Sequence, residues 1–223
     1  VMWSVVEKTA LAEAEVEYHD YTSDTIWVKF PVVEALDESK QRADETGKEF
    51  ATRILKDASF PQSLKGSSVV IWTTTPWTIP SNKAVAYNSK ITYALYEVVE
   101  AHDGNWARIG EKYLLARDLA EGVFKSANVD EYKELRTVSA DELAALDMAH
   151  PLAGMDEFWD YPEGVPMIDG DHVTDEAGTG FVHTAPSHGA DDYDAFVKRG
   201  WTDRMTHNVN ENSAFEPFVP FFA

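Results

Sequence analysis

Several short segments alternate between apolar and polar residues, which is the pattern of half-buried β-strands. The clearest is Thr25–Phe30, while Ser68–Thr73 is a β-branched apolar run that predicts a fully buried strand. The same criteria predict further strands or extended segments at Trp3–Val6, Glu13–Tyr18, Lys83–Tyr87, Thr92–Val99, Asn105–Ile109, Val165–Ile168 and Gly180–His183. Because strands outnumber helices in this prediction, we expect a mainly β protein.

Three segments carry helical signals. Glu111–Lys125 has apolar residues close to helical spacing, and Ala190–Arg199 begins with two aspartates, which suit the positive end of a helix dipole. Asp130–Leu146 is expected to hold a strand and then a short helix. That helix should begin near Ser139, with Glu142 as the capping-box partner.

The length and composition fit one folded domain. The chain has 223 residues, of which 44% are hydrophobic and 12% aromatic, so it can bury a substantial core. We interpret 1–223 as a single domain excised from a longer chain, with 1–18 and 211–223 as connecting segments, because the last segment is apolar and interrupted by prolines. Glu34–Gly47 is either a surface loop or a short helix, and Phe50–Leu55 is ambiguous.

The chain is strongly acidic, with a formal net charge of −20. Binding along a phosphate backbone needs a basic surface, so it is disfavoured, whereas contact with the end of a nucleic acid needs only a few local cations. The absence of cysteine excludes disulfides and thiolate metal sites, and it fits a reducing compartment such as the cytoplasm. No apolar run reaches the ~18 residues of a membrane span, and no signal peptide pattern is present.

The first candidate for chemistry is the segment 72–82 (WTTTPWTIPSN), which we call the first bend. It follows a predicted buried strand, contains Thr73–Thr75 and is stiffened by two prolines. Hydroxyl and backbone N–H groups at such a turn can bind a carbonyl, orient a water or stabilise an oxyanion. Threonine also favours strands without any function. The costly rigid turn with two tryptophans is what favours a site.

The second candidate is the segment 178–193 (GTGFVHTAPSHGADDY), which we call the second bend. His183 could orient water, bind a substrate or act as a base, although a lone histidine is more often structural. Asp191 and Asp192 are equally compatible with helix N-terminal charges and with one carboxylate that binds a cation such as an α-ammonium group. His183 and His188 lack the spacing of a zinc site. If the two bends meet, they form a polar pocket with an aromatic wall and a carboxylate.

Together the two bends resemble the editing domain (connective peptide 1) inserted into class I aminoacyl-tRNA synthetases for branched aliphatic amino acids. They are most similar to the isoleucyl version, since the valyl and leucyl versions typically carry arginine in place of Thr75 and lack a histidine matching His183. The opening segment is also similar, whereas 100–162 is generic. The resemblance implies an α+β, mainly β fold, with a compact β-barrel-like core and peripheral helices.

The resemblance also implies a reaction, the hydrolysis of valine misattached to tRNA(Ile). One missing methylene gives only ~1–3 kcal/mol of discrimination, a limit for which the isoleucyl enzyme is itself the standard illustration. The implied partners are the 3′-terminal adenosine of the tRNA carrying valine and the rest of a synthetase chain, with the protein a monomer in the cytoplasm and not at a membrane. No cofactor is implied for editing, because ATP and metal ions belong to the separate catalytic domain. Cleavage of valyl-adenylate in the same pocket stays open.

Residue roles follow from the same resemblance. Asp192 would bind the amino group of the valine, and Thr74 and Thr75 would hold the ester carbonyl or the water. His183 would help to set the size limit and position water without being an obligatory base. The other implied substrate-binding residues are Thr73 in support, Trp77 as an apolar wall and Asn82 near the substrate. Two alternatives stay open: a binding module that recognises an aminoacyl end without chemistry, and a free-standing aminoacyl-tRNA deacylase.

Overall fold

The computed structural model describes residues 2–33, 62–154 and 164–219, so the expectations for 34–47 and 50–55 lie outside the described residues. Within them, a two-stranded ribbon stands apart from one nine-stranded mixed sheet. The ribbon strands are β1 (Trp3–Ser4) and β2 (Thr9–Ala10). The strands of the sheet are β3 (Ile26–Val33), β4 (Ser67–Thr73), β5 (Ala84–Tyr87), β6 (Tyr93–Ala101), β7 (Lys112–Ala116), β8 (Val129–Val138), β9 (Asp147–Met148), β10 (Val165–Asp169) and β11 (Val182–Thr184).

In the described ranges the helices are short and lie beside the sheet, as follows. The α-helices are α1 (Ala120–Ser126), α2 (Ala140–Ala144) and α3 (Ala190–Arg199). The predicted capping box opens α2, because the Ser139 hydroxyl accepts the Glu142 N–H at 3.2 Å and the Glu142 carboxylate accepts the Ser139 N–H at 2.9 Å. The 3-10 helices are Glu13–Glu15, Gln62–Leu64, Pro76–Ser81, Arg117–Leu119 and Thr202–Arg204. None of the helices in the described ranges has the length and apolar character needed to cross a membrane.

The sheet curls back so that the loop before β11 contacts β7 and β6, which gives the expected barrel-like core. Its strand order is β11-β5-β10-β9-β3-β4-β7-β6-β8, with parallel pairing at β10–β5 and β4–β7. The segment before β11 returns to β7 and β6: the Ala116 N–H donates to the Thr179 carbonyl at 2.9 Å, and the Tyr93 hydroxyl donates to the Gly180 carbonyl at 2.7 Å. Gly180 has φ of +81°, and a Cβ there would lie 2.2 Å from the Ala116 Cβ, so this closure requires glycine.

Three apolar clusters pack against the sheet in the described residues, and the smallest lies where α3 covers β5 and β10. The largest one fills the inside, where fully buried residues from different strands meet: Phe30, Ile71, Val85, Leu114 and Met148. The second, which we call the aromatic layer, lies between the sheet and α1. Its rings are Tyr96, Tyr113, Phe124 and Tyr132, with Phe124 stacked on Tyr132 at a centroid distance of 4.1 Å.

Three predicted elements near the chain start and in the middle are wrong. Glu13–Tyr18 was predicted to be extended, but it forms a 3-10 helix at Glu13–Glu15 and then irregular backbone. Trp3–Val6 is extended only over β1, and Asn105–Ile109 is irregular backbone with a bend at 106–107. These segments are largely exposed, so the alternation that predicted strands there has little core to face.

Glu111–Lys125 was predicted to be one helix, and its first half is the strand β7 instead. The apolar residues Tyr113, Leu114 and Leu115 are all buried, because β7 lies between β4 and β6 with both faces covered. A short continuous apolar run fits a buried strand as well as a helix, and spacing alone does not separate the two. The helical half is confined to α1 and the 3-10 turn before it.

Candidate functional site

The first and second bends converge on one cleft with a volume of about 230 Å³. The first bend lies at the end of β4, and the second bend runs from the closure segment through β11 into α3. Strands β4 and β11 thus bring together residues more than a hundred positions apart. The described residues that line the cleft are Trp72, Thr73, Thr74, Thr75, Thr78, Val182, His183, Ala185, His188 and Asp192.

The three consecutive threonines Thr73, Thr74 and Thr75 all line the cleft, although strand alternation would send only two of them to one face. The reason is that β4 ends at Thr73, so the residues after it are not bound to the period of a strand. The Thr75 N–H donates to the Thr73 hydroxyl at 3.1 Å, and the two hydroxyls are 3.3 Å apart. Thr74 and Thr75 are exposed, whereas Thr73 is buried. The turn therefore presents hydroxyls to the cleft on a backbone held by its own side chain.

His183 is held by hydrogen bonds on both ring nitrogens. The Asn82 Nδ2 lies 2.9 Å from the Ala84 carbonyl, so it is a donor, and its other hydrogen points to His183 Nδ1 at 2.7 Å. His183 Nδ1 therefore accepts, and its proton is on Nε2. That Nε2–H donates to the Thr78 hydroxyl at 2.9 Å, which in turn donates to the Thr75 carbonyl at 2.8 Å. We call this chain of bonds the histidine relay.

Burial keeps His183 neutral. Its side chain is only 8% exposed, and desolvation, with a smaller contribution from nearby His188, lowers its pKa to about 4. A ring that is neutral at pH 7 and has both nitrogens engaged has no free lone pair for a proton. His183 can therefore form a wall of the cleft and fix the threonine turn, and it is poorly suited to act as a base.

Asp192 lies on the third position of α3 and faces the cleft, while Asp191 is exposed. One carboxylate oxygen of Asp192 accepts the Ala185 N–H at 2.8 Å, which ties the helix start to the end of β11. A Cβ on Gly189 would lie 3.0 Å from that oxygen, so glycine gives the carboxylate room. Desolvation by burial raises the pKa of Asp192. A half-buried carboxylate in this setting favours a cationic partner, which would lower its pKa again.

Two predicted site residues lie outside the lining of the cleft. Asn82 is 2% exposed and acts behind His183 as the start of the histidine relay. Trp77 is 49% exposed and packs edge-on against His188, with ring centroids 5.0 Å apart. Two polar lining residues, Thr78 and His188, were not among the predicted site residues. Thr78 could have been suspected because it lies three residues after Thr75, within reach of its carbonyl across one 3-10 turn.

The ionisable groups of the cleft do not form a metal site. Within the described ranges, no three histidine, aspartate or glutamate side chains are grouped so that they could hold a metal ion. The chemistry open to these residues is cation binding by a carboxylate, together with hydrogen bonding to a carbonyl oxygen or a water by hydroxyl and backbone groups.

Comparison with known proteins places this fold and these bends in one family. No protein-family model matches the chain. Among individual proteins, isoleucine–tRNA ligases match it over nearly its whole length. The Rhodopseudomonas palustris protein is 50% identical over 229 residues and covers 100% of the chain. The Agrobacterium fabrum protein is 52% identical over 221 residues and covers 99% of the chain. The chain spans about a fifth of the length of these relatives.

Solved structures agree at the level of the fold. The crystal structure of GlLeuRS-CP1 is 14% identical with a TM-score of 0.52, covering 90% of this chain and 69% of that one. The P. falciparum cytosolic leucyl-tRNA synthetase editing domain is 14% identical with a TM-score of 0.51, covering 86% of this chain and 72% of that one. The chain therefore belongs with the isoleucine–tRNA ligases, a segment of which it matches from end to end, and it has the fold of the leucyl-tRNA synthetase editing domains.

Proposed function

We propose that this domain hydrolyses the ester of valine misattached to tRNA(Ile), as the editing domain of an isoleucine–tRNA ligase in the cytoplasm. The observation that carries the proposal is the cleft itself, in which the Asp192 carboxylate and the Thr73–Thr75 hydroxyls line one small space. An aminoacyl ester has a cationic amino group close to its carbonyl. A carboxylate and a set of hydrogen-bond donors in one cleft match these two features.

Asp192 binds the α-ammonium group in this proposal. One of its oxygens is occupied by the Ala185 N–H, which fixes the carboxylate and leaves the other oxygen for the ligand. The bound charge is partly desolvated, so the contact discriminates strongly in favour of a cation. The substrate is thereby oriented with its ester towards the first bend.

The first bend holds the ester carbonyl and the attacking water. Thr74 and Thr75 supply hydroxyl and backbone N–H groups, and Thr73 fixes the turn through its bond to the Thr75 N–H. Positioning of water and support of the tetrahedral intermediate account for catalysis, without a covalent enzyme intermediate or a cofactor. His183 limits the size of the side chain as a neutral wall, held by the histidine relay.

The cleft volume supports a small ligand group. At about 230 Å³ the cleft is smaller than the ~300–1,000 Å³ pockets that enclose a drug-sized ligand, so it suits an aminoacyl group better than a whole nucleotide. The adenosine and the body of the tRNA would then lie outside the cleft. With a net charge of −20, the domain gives a long phosphate backbone little to bind, so the rest of the synthetase would hold the tRNA, with the protein acting as a monomer.

The test is a deacylation assay with valyl-tRNA(Ile) and isoleucyl-tRNA(Ile), repeated with the corresponding aminoacyl-adenosine esters. We expect hydrolysis of both valyl substrates and none of the isoleucyl ones. Binding of the valyl substrate without turnover would instead support a non-catalytic binding module. Equal hydrolysis of both amino acids would contradict the size limit.

A further inference from the structure

We propose that His150 and Asn208, two buried side chains outside both bends, are positioning residues of the editing cleft. Each binds a carbonyl of the 3-10 helix Pro76–Ser81, and together we call them the bracing pair. Neither lines the cleft, so they act through the helix on the residues that do. This inference rests on the proposed function for its kinetic readout, and its spectroscopic readout is independent of activity.

His150 holds the Ile79 carbonyl from the side of the main core. Its Nδ1 accepts the Leu152 N–H at 3.1 Å, so the proton is on Nε2, which donates to the Ile79 carbonyl at 3.1 Å. The side chain is 3% exposed, and Phe30 packs edge-on against its ring at 6.3 Å. Desolvation lowers its pKa to about 4, so it stays a neutral donor at pH 7. The geometry leaves His150 little freedom to move without the helix.

Asn208, in the loop region after α3, holds the next carbonyl of the helix, that of Pro80. Its Nδ2 donates to the Pro80 carbonyl at 3.0 Å, and the residue is 2% exposed. The Asn208 carbonyl accepts the Glu216 N–H at 2.9 Å, so the residue lies at the base of a closed loop. Its own Oδ1 is buried without a partner. Burying an unpaired amide oxygen costs free energy. The bond from the Asn208 Nδ2 to the Pro80 carbonyl explains why this side chain is buried.

The braced helix needs such support. A 3-10 helix of six residues has poor internal hydrogen-bond geometry, and its last carbonyls have no partner within the helix. Thr78, Ile79, Pro80 and Ser81 are all buried, so water has little access to these carbonyls. The Ile79 carbonyl accepts both the Asn82 N–H and the His150 Nε2–H, and the Pro80 carbonyl accepts the Asn208 side-chain amide. Side chains from two loops thus help to fix where the helix ends.

The position of the helix end controls the histidine relay. The Ile79 carbonyl that His150 binds also accepts the Asn82 N–H at 2.9 Å. Asn82 then donates its side-chain amide to His183, and His183 donates to Thr78 on the same helix. Loss of the brace should therefore shift Asn82 and Thr78 relative to His183, and with them the Thr75 carbonyl.

The test compares His150→Phe, which keeps a ring against Phe30 but has no donor, with His150→Gln, which keeps one. Asn208→Leu tests the second brace, and His102→Phe, at an exposed histidine, is the matched control. The readouts are kcat and KM for hydrolysis of a valyl-adenosine ester, the ¹⁵N NMR signal of the His183 Nε2–H, and urea unfolding. We expect kcat to fall about 10-fold with KM nearly unchanged, because small misplacements within a site are costly.

In His150→Phe and Asn208→Leu, where kcat falls, the His183 Nε2–H signal should also shift or broaden. His150→Gln should keep both kcat and the signal close to those of the wild type. Folded variants with an unchanged signal and wild-type kcat would overturn the proposal, whatever their loss of stability. If His150→Phe does not fold, Asn208→Leu decides by the same criteria. If the wild type hydrolyses no valyl ester, the proposed function fails. The His183 signal alone then decides whether the bracing pair positions the histidine relay.

Discussion

The cleft and the aromatic layer are built from one sheet, but burial has a different effect in each. In the aromatic layer it stabilises packing, and in the cleft it fixes groups that face a ligand. In the aromatic layer, rings satisfy one another, and the hydroxyls of Tyr96 and Tyr113 are bound to glutamates. In the cleft, hydrogen bonds to the protein fix His183 and one oxygen of Asp192. The other Asp192 oxygen is left for a ligand. A buried polar residue can thus serve a site when its hydrogen bonds to the protein leave its cleft-facing side for a ligand.

Burial changes the pKa of residues in both regions, with different consequences. Desolvation raises the pKa of Tyr96 to about 12, so it stays neutral at any physiological pH and contributes only packing and a hydrogen bond. Desolvation also raises the pKa of Asp192, but this carboxylate faces the cleft, where a cation can reverse the shift. One region therefore gains stability from burial, and the other gains selectivity for a charged ligand.

The largest expected effect comes from breaking the aromatic layer. Phe124→Ala removes a ring that stacks on Tyr132 and contacts two other rings, and we expect the free energy of unfolding to fall by about 3–5 kcal/mol. Hydrolysis per folded molecule should stay at the wild-type value. Urea unfolding together with the deacylation assay checks both, with exposed Ile109→Ala as the control. A selective loss of kcat would show that the layer belongs to the site.

The opposite result is expected for the carboxylate of the cleft. Asp192→Ala should lower kcat/KM for valyl ester hydrolysis by about 100-fold, because a charge-assisted contact with the ammonium group is lost. Stability should change little beyond the loss of the bond to the Ala185 N–H. Asp191→Ala, at the exposed neighbour, is the matched control and should keep wild-type kinetics. Similar rates in the two variants would refute the role given to Asp192.

A smaller effect links pH to the buried histidines. His150 and His183 have pKa values of about 4 in the folded protein against about 6.5 when unfolded, so between these values the unfolded state binds more protons. The free energy of unfolding should thus fall as pH drops from 6.5 to 4, by at most ~3 kcal/mol for each histidine. His150→Gln should reduce this pH dependence in urea titrations. An unchanged pH dependence would contradict the buried neutral state.

The strands were predictable where side chains alone dictate burial. Ser68–Thr73 is β-branched and apolar and forms β4 as predicted, and the capping box at Ser139 opens α2 as predicted. β7 was missed because its run of Tyr113 to Leu115 fits a helix equally well until its neighbours on both sides are known. Local pattern therefore predicts elements, and the two-sided burial that selects between them is a property of the assembled sheet.

The site was predictable in part for the same reason. The two bends were predicted from their own residues, and the resemblance implied the roles of Asp192, Thr74 and Thr75. In the structure all three line one cleft. The histidine relay joins Thr78 to His183 across 105 positions, and no local pattern carries such a contact. His150 lies in the segment that looked generic, so its bond to the first bend had no signal in the sequence at all.

The central claim is that the cleft receives a valyl group with its ammonium nitrogen on Asp192. A crystal structure of the protein with a non-hydrolysable valyl-adenosine analogue tests it most directly. We predict the analogue's amino nitrogen within hydrogen-bond distance, about 2.7–2.9 Å, of a carboxylate oxygen of Asp192, with its carbonyl at Thr74 and Thr75. An analogue bound with its amino group away from Asp192, or outside the cleft altogether, would contradict the account.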